Sequence, residues 1–151
     1  MYKQDNIMKE THTTEEYLHH CLFFTANRLA RVITAMAEEE FLKTGLSPTY
    51  AFLIMLVNDD QGISQKSLCE KLHLAPSTVT RFIDKLVQKD LLIRRQEGKN
   101  SFIYSTPRGK RLQKEIEKAW TSLYERYSAL LGQEEGDTLT AIVDEAADRL
   151  G

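Results

Sequence analysis

The sequence predicts a mostly α-helical fold with one small β-hairpin. Apolar residues recur at helical spacing along most of the chain, whereas strand-like runs are confined to residues 91–96 and 101–105. The 151 residues include only 7 glycines and 3 prolines, and most of these fall between the periodic segments. A content of 42% apolar and 28% charged residues is typical of a globular chain with a packed core.

Capping residues divide the first third of the chain into two predicted helices. Thr13 and Glu16 form a capping-box pattern, from which one continuous helix is expected to run to a stop at Gly45. Ser47, followed by a proline, then predicts the start of a second, strongly apolar helix that ends near Asn58.

The middle third predicts two short helices joined by a tight turn, followed by the hairpin. Ser64 caps a helix over residues 65–72, residues 73–75 form the turn, and a helix that begins with proline covers residues 76–89. Residues 97–100, which include a glycine, join the two strands. After the hairpin, two further helices are expected, one from a Thr-Pro pair up to Gly132 and one from about Glu134 to the end.

Positive charge is concentrated in the middle of the chain. Residues 64–111 hold eleven Lys and Arg against four Asp and Glu, a local charge of +7 (11 − 4), although the whole chain has a net charge of −2. Residues 1–63 carry five basic and nine acidic side chains (−4), and residues 112–151 carry four and nine (−5). A compact cationic segment in an acidic chain is the pattern expected of a surface that holds a polyanion.

The predicted helix over residues 76–89 has two chemically different faces. At about 100° per residue, its apolar side chains share one side, while Ser77, Thr78, Arg81 and Lys85 lie on the other and Thr80 lies at the boundary. Hydroxyls near a helix N-terminus suit phosphate, and an arginine one turn later suits a guanine edge. The alternative is an ordinary solvated helix face. A basic hairpin follows, with Arg94, Arg95 and Lys99, and the combination favours DNA binding.

Together these residues resemble the winged helix-turn-helix of the MarR family of transcriptional regulators. The resemblance covers nearly the whole chain and is carried by Ser64-Gln65, Leu68, Leu72, the run Ser77-Thr78-Val79-Thr80-Arg81, Ile83-Asp84, Leu86, Leu91-Leu92-Ile93, Arg95, Ser105-Thr106 and Gly109. It implies a winged helix-turn-helix domain flanked by long dimerisation helices. It also implies a homodimer that binds a pseudo-palindromic operator in double-stranded DNA and usually represses transcription.

The resemblance implies a division of the chain and a set of DNA contacts. Residues 1–46 form the N-terminal dimerisation helix, residues 47–106 the DNA-binding region and residues 107–151 the C-terminal dimerisation helices, within one intertwined domain. The expected DNA contacts are Ser64, Gln65, Ser77, Thr78, Thr80, Arg81, Lys85, Arg94, Arg95 and Lys99. The residues themselves also favour a dimer. The predicted first and last helices carry more apolar surface than the small DNA-binding region of one chain can cover.

The predicted wing departs from the family pattern at one place. Where the family commonly carries an Asp-x-Arg pair, this chain has Glu97 and Lys99 on a shorter hairpin. Lys99 can substitute as a point charge, but it lacks the planar fork of a guanidinium group.

Two kinds of signal could release the protein from DNA, and the sequence does not choose between them. Cys21 follows His19 and His20, and its position resembles the reactive cysteine of the hydroperoxide-sensing branch of the family. Ala35 and Ser47 stand where that branch has tyrosines, and a cysteine on an apolar helical stripe is commonly a small buried hydrophobe. The other signal is a small-molecule effector, for which the candidate pocket residues are Phe23, Phe24, Tyr50 and Phe52; core packing is the alternative for each.

Other classes of function find less support in the sequence. No common catalytic motif occurs, the four histidines and two cysteines show no zinc spacing, and neither a metal nor another cofactor is expected. A winged helix that binds only protein remains an alternative, although it predicts a neutral or apolar wing. RNA binding predicts exposed aromatic side chains on the helix face, which are missing. No run approaches the roughly 18 apolar residues of a membrane span, and the start is too polar for a secretory signal, so a cytoplasmic location is expected.

Overall fold

The computed structural model describes residues 13–151 and confirms a mostly α-helical fold with a small antiparallel sheet. The helices are α1 (Thr14–His19), α2 (Leu22–Phe41), α3 (Pro48–Asp59), α4 (Gln65–Leu72), α5 (Pro76–Gln88), α6 (Pro107–Arg111), α7 (Gln113–Leu131) and α8 (Gln133–Leu150). The strands are β1 (Ile63–Ser64), β2 (Leu92–Glu97) and β3 (Asn100–Ser105). The chain divides into two compact units, one ending at Glu39 and the other beginning at Glu40.

The single helix expected from residue 14 onward is wrong, because the chain breaks between α1 and α2. The imidazole Nδ1 of His20 lies 2.7 Å from the Glu16 carbonyl oxygen, which a continued helix would pair with the His20 amide. The amides of His20 and Cys21 instead bond three residues back, to Tyr17 and Leu18. The predicted stop at Gly45 is confirmed, since Gly45 caps a short 3-10 turn with φ of 73°.

The helix-turn-helix of the middle third is confirmed. The Ser64 hydroxyl accepts a hydrogen bond from the Ser67 amide at 3.1 Å and caps α4, and His73 makes the turn with φ of 54°. Pro76 opens α5 as its first residue. The amphipathic pattern of α5 is also confirmed, since Val79, Ile83 and Leu86 are fully buried.

The hairpin is confirmed with a shorter connection than the sequence predicts. Glu97 pairs with Asn100, so only Gly98 and Lys99 form the turn, and the first strand begins at Leu92. Strand β1 is a missed element: it pairs antiparallel with β3 and gives the sheet the order β1-β3-β2.

The single helix expected after the hairpin is also divided, at Leu112, into α6 and α7. The Thr106 hydroxyl caps α6 by accepting from the Gly109 amide at 3.0 Å, and it ties α6 to the segment after α5 by donating to the Asp90 carbonyl at 2.7 Å. Helix α7 is placed instead by the core, in which Ile116 and Ala119 are buried.

One hydrophobic core holds the unit that begins at Glu40. Its fully buried side chains come from α3, α4, α5, the sheet and α7, including Leu53, Leu68, Ile83, Ile103 and Ile116. The DNA-binding region predicted at residues 47–106 therefore shares its core with α7. The predicted N-terminal region, residues 1–46, is described from Thr13 onward.

Candidate nucleic-acid interface

The outer face of α5 presents the polar side chains that the sequence places there. Ser77, Arg81 and Lys85 are exposed, and Thr78 is half-buried. The opposite face is anchored by fully buried side chains at Val79, at Ile83 and at Leu86, so the helix has little freedom to rotate about its axis. The arginine is thus carried on a rigid element with its guanidinium group accessible to a ligand.

Thr80 and Gln65 have a different role from that of the exposed residues. The Gln65 side-chain amide donates to the Thr80 hydroxyl oxygen at 2.6 Å, and that hydroxyl donates to the Pro76 carbonyl at 2.9 Å. The relay joins α4 to α5 and orients both side chains. Sequence reasoning placed Thr80 at the boundary of the polar face, and the structure shows its hydroxyl engaged within the protein.

The wing carries three cations in three different settings. Arg94 is about one quarter exposed and forms an ion pair with Asp84 of α5, with 2.7 Å between Nη2 and Oδ1. Arg95 is exposed, with its guanidinium carbon 4.9 Å from the ring centroid of Tyr104. Lys99 is exposed at the tip of the turn. Arg94 therefore has its charge balanced by α5, whereas Arg95 and Lys99 extend the cationic surface.

Asp84 and Tyr104 are residues that sequence reasoning missed. The sequence marks Asp84 only as part of the family pattern, and its position near Arg94 depends on how β2 packs beside α5. Tyr104 alternates along β3 with the buried Ile103, which in retrospect marks it as a surface residue beside β2. Both hold wing arginines in defined positions.

A groove of about 680 Å³ separates the start of α4 from the wing. Its lining carries two lysines, Lys66 and Lys99, against the single acid Glu70. The other lining residues are the polar Ser64, Gln65, Asn100 and Ser101 and the less polar Cys69, Pro76 and Phe102. The tip beside it is braced by the Ser101 hydroxyl, which donates to the Gln96 side chain at 2.7 Å. With two lysines against one acid the groove is cationic, and it can take an anionic backbone between α4 and the wing.

The candidate residues for a signal are placed in contrasting environments. Cys21 is exposed in the single chain, at the break between α1 and α2. Cys69 is half-buried against the core, and burial raises the pKa of its thiol. Cys21 is therefore expected to be the more reactive thiol, because it is exposed and because the raised pKa of Cys69 lowers the thiolate fraction of that residue.

The four aromatic candidates for an effector pocket divide between the two units. Phe23 is exposed, with 78% of its surface accessible, and Phe24 packs edge-on against His19 at 5.6 Å. Tyr50 stacks on Phe82 at 4.3 Å, and Phe52 packs edge-on against Phe41 at 5.6 Å. The last two pairs lie against the core, as the alternative of core packing expects.

Metal and membrane sites receive no support within residues 13–151. That part of the chain contains no group of three or more His, Cys, Asp or Glu side chains that could hold a metal ion. His12, the first of the four histidines, lies outside the described residues. Over the same range, no helix combines the length and the apolar content that a membrane crossing requires.

Comparison with known proteins gives relatives in both sequence and structure. The model of the MarR family matches residues 46–101. MhqR of Bacillus subtilis (strain 168), an HTH-type transcriptional regulator, is 30% identical over 127 residues, which is 81% of this chain and 86% of MhqR. SarZ of Staphylococcus epidermidis, another HTH-type transcriptional regulator, is 31% identical over 104 residues, which is 66% of this chain and 69% of SarZ.

A solved structure matches the fold along nearly its whole length. The transcriptional repressor CouR of Rhodococcus jostii RHA1, bound to a 23-mer DNA duplex, aligns with a TM-score of 0.80 and 16% identity. The alignment covers 91% of this chain and 99% of CouR. At this identity the likeness concerns the fold.

Proposed function

Because this chain belongs to the MarR family of transcriptional regulators, we propose that it binds operator DNA through the outer face of α5 and acts as a repressor. The observation that carries the proposal is the exposed Arg81 on a helix whose opposite face is fully buried. In a major groove, Arg81 reads a guanine edge by a bidentate contact, while Ser77 and Thr78 contact phosphate. CouR, a repressor of the same fold, is bound to duplex DNA.

The other predicted contacts fall into two classes. Ser64, Lys66 and Lys99 border the groove beside the wing and contact the phosphate backbone, together with the exposed Lys85 and Arg95. Gln65, Thr80 and Arg94 are positioning residues, because their polar groups bond to other side chains of the protein. We therefore assign base recognition to Arg81 and affinity to the surrounding cations.

The operator is pseudo-palindromic, since two copies of the chain pair through the helices outside residues 47–106. Apolar side chains exposed on these helices support this role; they include Val32, Leu130, Ile142 and Leu150. A twofold dimer places two α5 helices about 34 Å apart, one turn of the duplex. Such a regulator acts in the cytoplasm and has no catalytic step.

The test is selection of bound duplexes from a random pool, followed by comparison of two variants on the selected sequence. Arg81→Ala is expected to cost about 1–3 kcal/mol on the selected duplex and to leave binding to random duplexes almost unchanged. Lys114→Ala, which removes an exposed cation of α7 outside the cationic segment, is the matched control and keeps the parent specificity. Equal discrimination by Arg81→Ala and the parent contradicts the assignment.

The exposure of Cys21 favours oxidation of this thiol as the releasing signal. Organic hydroperoxide is expected to release DNA from the parent and from Cys69→Ser, but not from Cys21→Ser. Equal release from all three proteins removes the cysteine from the mechanism.

A further inference from the structure

A cluster of polar side chains lies beside the hydrophobic core, where α3, the end of β3 and the start of α7 meet. Its centre is Asn58, the penultimate residue of α3, which is half-buried. Ser105, the last residue of β3, is buried with 6% of its surface accessible, and Gln113, the first residue of α7, is half-buried. None of the three belongs to the proposed DNA contacts. Polar groups in such surroundings cost free energy unless they are hydrogen-bonded, so their bonding decides how the three elements fit together.

The side chain of Asn58 forms hydrogen bonds in three directions. Its carbonyl oxygen Oδ1 accepts from the Ser105 hydroxyl. Its amide nitrogen Nδ2 donates to Oε1 of Gln113 at 2.9 Å and to the carbonyl oxygen of Gly109 at 3.4 Å. A side-chain amide offers two N–H donors and one carbonyl oxygen, so every polar atom of this side chain is engaged. A displacement of β3, α6 or α7 therefore leaves a polar group of the cluster without its hydrogen bond.

Two of these bonds lie on either side of the junction between α6 and α7. Gly109 belongs to α6 and Gln113 begins α7, so the interruption at Leu112 lies between the two residues that Asn58 holds. Leucine has no side-chain acceptor for the free amides at the start of α7. Junctions between elements are the places where a change of direction is most easily absorbed. The Asn58 side chain thus fixes the direction in which α7 leaves α6.

Helix α3 connects this junction to the proposed recognition helix. Near the start of α3, Tyr50 stacks on Phe82 of α5 with 4.3 Å between the ring centroids. The core contacts of α7, at Ile116 and Ala119, are apolar. Apolar contacts have no preferred direction and tolerate small rotations, whereas a satisfied hydrogen-bonded cluster favours one arrangement. The orientation of α7 relative to α5 therefore depends on Asn58 more than on the core.

From these contacts we propose that Asn58 is a positioning residue that sets the distance between the two α5 helices of the dimer, and hence the half-site spacing that the protein accepts. The step rests on the proposed function, in which two copies pair through helices that include α7. Helix α7 has 19 residues. At about 1.5 Å per residue, a rotation of about 10° at its start moves its far end by about 5 Å. This displacement exceeds the rise of one base pair, about 3.4 Å.

The geometry is tested first on the full-length protein without DNA. A nitroxide spin label is attached to Gln88→Cys, an exposed position at the end of α5, in a protein whose Cys21 and Cys69 are replaced by serine. Pulsed electron paramagnetic resonance then gives the distance between the labels of the two copies. One narrow distance distribution is expected when Asn58 is present. Asn58→Leu keeps a side chain of similar size but removes its hydrogen bonds, and the distribution is expected to become at least about twice as broad.

Half-site spacing is measured next, on the selected duplex and on two duplexes whose half-sites are one base pair closer together or further apart. The parent is expected to prefer the selected spacing by roughly tenfold or more, and Asn58→Leu by about threefold or less. Ser105→Ala leaves Asn58 bonded to α7 but not to the Ser105 hydroxyl, so an intermediate preference is expected. This second variant decides the question if Asn58→Leu does not fold.

Ile116→Val is the matched control, because it removes one buried methylene from α7 and no hydrogen bond. It is expected to lower the midpoint of thermal unfolding but to keep the narrow distance distribution and the spacing preference of the parent. The proposal is overturned if Ile116→Val broadens the distribution as much as Asn58→Leu does. It is also overturned if Asn58→Leu and Ser105→Ala both keep the distance distribution of the parent, or both keep its spacing preference. Since the distance measurement uses no DNA, a parent with a narrow distribution but no preferred duplex contradicts the proposed function alone.

Discussion

Replacement of Gly109 by alanine is expected to destabilise the protein although the residue lies in a helix. A β-carbon at Gly109 would overlap the carbonyl oxygen of Leu91 and would lie 3.2 Å from its carbonyl carbon and 3.5 Å from the β-carbon of Ser105. The Leu91 oxygen cannot easily move away, because it accepts the Thr106 amide at 3.1 Å. Steric strain of this kind costs about 1–3 kcal/mol.

The gain in helix propensity opposes this cost but does not offset it. Glycine to alanine in a helix contributes up to about 1 kcal/mol. Since the overlap at Gly109 is with backbone, we expect the upper part of the strain range and a net loss of about 2 kcal/mol. For a chain of this size the midpoint of thermal unfolding then falls by roughly 4–8 °C.

Gly136→Ala is the matched control for this experiment. Gly136 is also buried in a helix, but its added β-carbon would lie 3.8 Å from the ring of Tyr127, an ordinary contact. The helix-propensity gain is therefore retained, and a stabilisation of about 0.5–1 kcal/mol is expected. Both proteins are melted at one concentration, followed by circular dichroism. A Gly109→Ala protein as stable as the parent refutes the packing described at the base of the wing.

Three further predictions follow from single contacts. Alkylation at mildly alkaline pH, followed by mass spectrometry, is expected to modify Cys21 well before Cys69, because a raised pKa lowers the thiolate fraction of Cys69. The reverse order contradicts the burial of the Cys69 thiol. Asp84→Asn is expected to change the free energy of unfolding by less than about 1 kcal/mol, because its ion pair with Arg94 is partly exposed. The same substitution releases Arg94 for DNA and is expected to steepen the salt dependence of DNA binding by about one counterion. An unchanged slope shows that Arg94 is not released to DNA. Asp90 has φ of 58°, so in chemical denaturation Asp90→Ala is expected to be about 1 kcal/mol less stable than Asp90→Gly, and equal stability argues against that conformation.

The parts of the fold that sequence predicts correctly are those set by local interactions. Ser64 caps α4 through a bond to a residue three positions away, and Pro76 starts α5 by its own ring geometry. The apolar face of α5 is likewise visible in the spacing of its side chains. Each of these features is determined by residues a few positions apart, and no contact with a distant part of the chain changes it.

The features that sequence misses depend on contacts between distant residues or on unusual side-chain bonds. Strand β1 has only two residues and exists because Ile63 and Ser64 pair with β3. The break after α1 comes from the His20 ring bonded to a backbone carbonyl, with no glycine or proline to mark it. For the site, exposure of Arg81 follows from helix periodicity, whereas the pairing of Arg94 with Asp84 requires the packing of β2 beside α5.

The proposed function requires that the outer face of α5 lies in the major groove of an operator bound by two copies of the chain. Its most direct test attaches an iron chelate that generates hydroxyl radicals to a single cysteine in Ser77→Cys, with Cys21 and Cys69 replaced by serine. Cleavage of the selected duplex is expected in two clusters about one helical turn, or 10 base pairs, apart. Cleavage no stronger than that by the free chelate, or spread evenly along the duplex, contradicts it.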